Sequence, residues 1–134
     1  MIAYPDDLIT EARHPAGAGA LDGANRHARG SYPRCGDDIE IAVREEDGMV
    51  IDVGHHTRGC AFAVASASIL VRSVRGGSVT HALELGACLE RDLAGTAELP
   101  WELRVLGSVR VYPARIRCAL IPWQALRSAL TQTA

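Results

Sequence analysis

The sequence contains no Cys-x-x-Cys pair, no Gly-x-Ser-x-Gly elbow, no phosphate loop and no apolar run of bilayer length. Each absence removes a class of function. Without paired cysteine knuckles the chain is not a zinc finger. Without the elbow or a paired base, Ser66 and Ser68 read as small residues that let helices approach, not as nucleophiles. Gly76-Gly77 is followed by no lysine and reads as a helix stop. "CALIPW" and "ASILV" are far too short to span a membrane. A formal net charge of -2 leaves no basic footprint for nucleic acid. The first residues, "MIAYPDDLITEARHP", carry acid where a signal peptide carries positive charge. With no repeat and no low-complexity tail, the expectation is one domain over residues 1–134, cytoplasmic, with neither nucleic acid nor membrane as partner.

Local patterning is clear in several places. A short helix is expected after Pro5, then a Gly/Ala-rich loop with one edge strand near Arg26 to Gly30. Ile39, Ile41 and Val43 alternate with polar or small residues, as do Met49, Ile51 and Val53, around Asp47-Gly48. That pattern predicts a β-hairpin at about 38–57. A helix of about fourteen residues is expected after Gly59, and a second one capped by Ser78 and ending near Gly95. The stretch from Thr96 to Arg117 is broken by Pro100 and Gly107 and predicts one short helix. A final helix opens at Cys118, with Pro122 near its first turn. Strands first and helices afterwards give an α+β class.

The segment "PRCGDD" places a cysteine in a Gly-Asp turn just before the hairpin. Cys60 and Cys118 each stand at a predicted helix start. There, unpaired N–H groups and the positive end of the helix dipole favour thiolate, the form that binds metal. Arg34, Arg58, Arg115 and Arg117 flank the three cysteines within three positions. Asp37 lies two residues from Cys35, so its carboxylate can share the turn with the sulfur. Three thiolates and a carboxylate suit zinc. Three buried, inert cysteines satisfy the same composition. Cys88 falls among Leu83, Leu85 and Leu89 and reads as a core residue. His55 and His56 are neighbours on a strand, so they face opposite sides and read as surface or edge-strand histidines. His14, His27 and His81 show no partner spacing. Trp101 and Trp123 read as core or rim.

"PRCGDDIEIAV", "RGCAFAVASASIL" and "YPARIRCALIPWQAL" resemble, in order, the three signature blocks of the NifU/IscU-type iron–sulfur cluster assembly family. The SufU branch is the nearer likeness, because Arg115-x-x-Cys118 stands where IscU-type scaffolds place a histidine directly before the cysteine. The long stretch between Cys60 and Cys118 points the same way. The resemblance covers roughly residues 30 to 130. It departs in "EARHPAGAGAL", which keeps only His14-Pro15 and scattered glycines of the family's early segment. The resemblance implies a small antiparallel sheet of about three strands packed against helices. It implies a zinc site on Cys35, Asp37, Cys60 and Cys118, with Cys35 as sulfur acceptor and Arg115 stabilising the freed thiolate or persulfide. The activity it implies is a sulfurtransferase relay from a SufS-type cysteine desulfurase to the SUF cluster-assembly complex. Its alternative is a scaffold holding a transient [2Fe–2S] cluster on the same ligands.

Overall fold

In a computed structural model, described over residues 4–32 and 36–132, three strands form an antiparallel sheet in the order β1-β2-β3. They are β1 (Arg26–Tyr32), β2 (Asp37–Glu46) and β3 (Met49–Arg58). Four α-helices accompany them: α1 (Asp6–Arg13), α2 (Ala61–Val74), α3 (Val79–Asp92) and α4 (Ile116–Leu130). The α+β class, the three strands and the hairpin stand as expected. At the hairpin tip Asp47 and Gly48 adopt φ of 50° and 76°, the pair of positive values that a two-residue turn needs to match strand twist.

One strand departs from its expected alternation. Ile39, Ile41 and Val43 are buried as predicted, but on β3 the inward residues are Val50 and Val53, while Met49 and Ile51 are about 40% exposed. The register shifts between Arg44 and Glu45, so Ile51 is an extra residue opposite the partner strand. Such a bulge inverts the side-chain parity on one side of it. Beyond the bulge, His55 pairs with Ile41 and faces the core at 3% exposure, whereas His56 pairs with Glu40 and is exposed. The two histidines do face opposite ways, yet His55 is not a surface residue. Its Nε2 lies 2.9 Å from the Ala16 carbonyl and its Nδ1 2.7 Å from the Thr57 hydroxyl. The loop also covers the open edge of β3, with backbone bonds of 2.9 Å from Gly19 to His55 and from His55 to Gly17.

Helices α4 and α2 lie on the inner face of the sheet, α4 against β1 and β2 and α2 against β3. α2 is buried on nearly all sides, which its Ala/Ser composition allows. α1 packs on α2, and α3 on α4. The Ser78 hydroxyl accepts the His81 N–H at 3.0 Å and caps α3 as expected.

Between α3 and α4 the prediction of one short helix is corrected. Trp101–Val111 forms a 3-10 helix, and Pro113–Arg115 a second short turn of the same kind. Leu103, Leu106 and Val109 are all fully buried. Their spacing of three is the 3-10 period, which stacks every third side chain on one face. Arg110 reaches back to the carbonyls of Asp92, Leu93 and Ala97 and satisfies the exposed end of α3.

α4 begins at Ile116, two residues before Cys118, because the turn over 113–115 runs straight into it. Pro122 is therefore inside the helix and not in its first turn. Trp123 is core at 1% exposure, but Trp101 is 74% exposed beneath the Arg104 guanidinium, 3.7 Å from its ring centre. Cys88 is half-buried rather than core, its thiol 3.6 Å from Asp92 Oδ2. Among the described residues no helix is long and apolar enough to cross a membrane.

Burial holds the His55 imidazole below its ordinary value, so the folded chain favours the neutral ring. The unfolded chain then takes up a proton that the folded chain refuses. Stability is complete above about pH 6.5 and falls as pH drops below it, by up to about 1.4 kcal/mol per pH unit. Urea unfolding from pH 7.5 to 5 should show this slope, and His55→Gln should flatten it.

Candidate metal centre

The inward register of β2 runs Asp37, Ile39, Ile41, Val43, so the strand's first inward residue is a carboxylate at 2% exposure. Cys60 is the N-cap of α2, with extended backbone at φ -70° and ψ 169°. Cys118 is the third residue of α4 and fully buried. A carboxylate oxygen of Asp37 and the sulfurs of Cys60 and Cys118 all lie within 4.8 Å of one another. Three residues on three elements, far apart in sequence, thus converge.

The Asp37 carboxylate is held from one side only. Oδ1 accepts the Cys60 backbone N–H at 3.0 Å. Oδ2 is buried and, among the described residues, has no hydrogen-bond partner. A buried carboxylate oxygen left that way costs several kcal/mol unless a cation offsets it. One hard oxygen and two soft sulfurs at this spacing form a donor set that fits a divalent ion of borderline softness.

Arg115 stands just before α4 and bonds to the Cys118 side chain. That bond first, and the charge of Cys60 next, hold the guanidinium above its ordinary value. Arg117 lies over the Tyr32 ring at 5.4 Å. Of the predicted set, the structure brings together Asp37, Cys60, Cys118 and Arg115. Cys35 lies outside the described residues.

Two features were not anticipated from the sequence. Gly59 lies against the aspartate, and a Cβ there would stand 2.2 Å from Asp37 Oδ1. No side chain fits at that position without moving the carboxylate. Its signal in the sequence was the glycine set directly before Cys60. The second is an aromatic cluster beside the site. Tyr4 packs on Phe62 at 5.0 Å and edge-on to Tyr112 at 4.9 Å, joining the start of the described chain to α2 and to the approach to α4.

The sequence matches the family model described as the NifU-like N terminal domain over residues 3–132. It is 28% identical over 130 residues to the iron–sulfur cluster assembly scaffold protein IscU of Thermotoga maritima, covering 95% of this chain and 92% of that one. It is 28% identical over 105 residues to the zinc-dependent sulfurtransferase SufU of Bacillus subtilis, covering 75% of this chain and 71% of the relative. The fold matches the crystal structure of a SufU from Fervidobacterium islandicum with a TM-score of 0.86 at 23% identity, over 96% of both chains.

Gly59→Ala should push the Asp37 carboxylate away from the two sulfurs. Cobalt(II) titration is expected to show affinity lowered on the order of tenfold or more, with the fold kept by circular dichroism. Unchanged cobalt affinity would show that the aspartate's place does not depend on Gly59.

Proposed function

Because the chain belongs to the NifU-like N-terminal domain family, we propose that it is a zinc-dependent sulfurtransferase serving iron–sulfur cluster assembly. The observation that supports this reading is the buried, half-satisfied Asp37 carboxylate within 4.8 Å of two cysteine sulfurs. In this proposal Cys35 is the fourth ligand, supplied by the turn that leads into Asp37. Bound zinc would keep the thiolates deprotonated and protected from oxidation.

The sulfur source is a cysteine desulfurase of the SufS type, carrying sulfur as a persulfide on its own cysteine. The Cys35 thiolate attacks the terminal sulfur of that persulfide. The donor's S–S bond breaks, its electron pair leaves on the desulfurase cysteine, and a new S–S bond forms on Cys35. The exchange is redox-neutral and consumes no further reagent. Arg115, bonded to Cys118 and felt by Cys60, offsets negative charge when a sulfur is released. From Cys35 the sulfur passes to the SUF cluster-assembly complex. Asp37 is the hard ligand among soft ones, and its weaker match to zinc eases the release of Cys35.

A second reading, a scaffold that carries a [2Fe–2S] cluster as cargo, is favoured by the longer match to the Thermotoga IscU, 95% of this chain against 75% for the Bacillus SufU. The same three thiolates and carboxylate serve either cargo or resident ion. Two features of this chain favour the zinc reading. Arg117, not a histidine, directly precedes Cys118, and Arg115 occupies the space beside its sulfur.

Alanine release by a SufS-type desulfurase, measured with and without the protein, separates the readings. The relay predicts stimulation that Cys35→Ala abolishes. Acid-labile sulfide and a visible cluster in anaerobically purified protein, with no stimulation, would overturn it in favour of the scaffold.

A further inference from the structure

We propose that Ser66 is a positioning residue that sets the spacing of Cys60 and Cys118, an inference that rests on reading those two sulfurs as ligands. Cys60 starts α2 and Cys118 lies in the first turn of α4. Asp37 is already tied to α2 through the Cys60 N–H. The remaining variable is how the first turn of α4 is set against α2.

Ser66 is fully buried on α2. A serine in a helix ordinarily returns its hydroxyl to a carbonyl of its own helix. Here the hydroxyl donates instead to the carbonyl of Ala119, at 2.5 Å, and accepts the Trp123 indole N–H at 3.1 Å. Both bonds cross to α4, and the first lands on the residue next to Cys118. Ser68, two residues on and equally buried, turns the other way: it donates to Glu11 at 2.6 Å and accepts the Ala16 N–H at 2.8 Å. The two serines therefore fasten α2 to different elements, and only Ser66 faces the metal centre's second helix.

Pro122 adds a reason for a lateral fastening there. It sits within α4 and brings no N–H to the helical ladder. The one ladder bond that would run from residue 122 to the Cys118 carbonyl is thus missing. The Ser66–Ala119 bond ties the turn holding Cys118 sideways to α2, so Cys118 takes its position from the helix that carries Cys60. A sequence of Ala-Ser-Ala-Ser supplies close approach of the helices; the hydroxyl at 66 supplies the registration.

The test reads the spacing of the sulfurs with no metal present. Of the four cysteines, Cys35→Ser and Cys88→Ser leave only Cys60 and Cys118 as thiols. Phenylarsine oxide condenses with two adjacent thiols to a cyclic dithioarsinite and water, without oxidation or reduction. In that background Ser66→Ala should weaken arsenical bridging about tenfold or more, whereas Trp123→Phe, which keeps the Ser66–Ala119 bond, should stay within about twofold. Both changes should lower the thermal midpoint. The double variant Ser66→Ala/Trp123→Phe strands no buried donor and should bridge as poorly as Ser66→Ala alone. Bridging that is unchanged in Ser66→Ala or in the double variant, or equal losses in the two single variants, would overturn the proposal. Because the readout contains no zinc, its result is separate from the zinc content of the wild-type chain, which tests the underlying reading.

Discussion

A carboxylate on the inward face of a strand is the constraint from which the rest of the site follows. Asp37 is buried, with Oδ1 on a backbone N–H, Oδ2 without a hydrogen-bond partner among the described residues, and a carboxylate oxygen within 4.8 Å of two sulfurs. Left without a counter-charge, that arrangement costs several kcal/mol, a large part of the net stability of a chain this size. A cation held between the oxygen and the sulfurs removes the cost. Such an ion would tie the start of β2, the start of α2 and the first turn of α4 into one corner of the molecule.

The neighbouring residues are fitted to that corner. Gly59 leaves room where any side chain would strike the carboxylate. Arg115 places positive charge beside Cys118, and the Tyr4–Phe62–Tyr112 cluster packs an apolar wall next to it. Away from the corner, arginines are engaged by carboxylates on the surface: Arg29 with Asp38, Arg75 with Asp52, Arg127 with Glu90. Those exposed pairs contribute little individually. Arg115 differs in having sulfur as its partner.

Much of this was legible in the residues, and the failures have physical causes. Alternation gave the hairpin, and Asp47-Gly48 its turn, because both signals are local. Asp37 was read as part of the turn before the hairpin, whereas the strand begins with it and the same alternation, carried back two positions from Ile39, reaches it on the core face. The bulge at Ile51 was not legible, since it depends on how β3 pairs and not on its composition, and it put Val50 on the core face in place of Met49 and Ile51. His55 shares the inward face of Val53 and was misread because a histidine was taken for a surface residue. The 3-10 helix was hidden because Pro100 and Gly107 read as breaks, although Leu103, Leu106 and Val109 keep a period of three. Convergence of Cys60 and Cys118, 58 positions apart, was open from spacing alone and was supplied by resemblance. The Ser66–Ala119 bond could not be read at all, because a buried serine and a packing serine look alike in sequence.

Zinc-edge X-ray absorption on protein purified with zinc tests the central claim most directly. The account predicts one zinc per chain with three sulfur scatterers near about 2.3 Å and one oxygen near about 2.0 Å. Asp37→Ala should weaken zinc retention and leave the three sulfur scatterers in place. A first shell of nitrogen and oxygen only, or a three-sulfur shell that survives replacement of both Cys60 and Cys118, would contradict it.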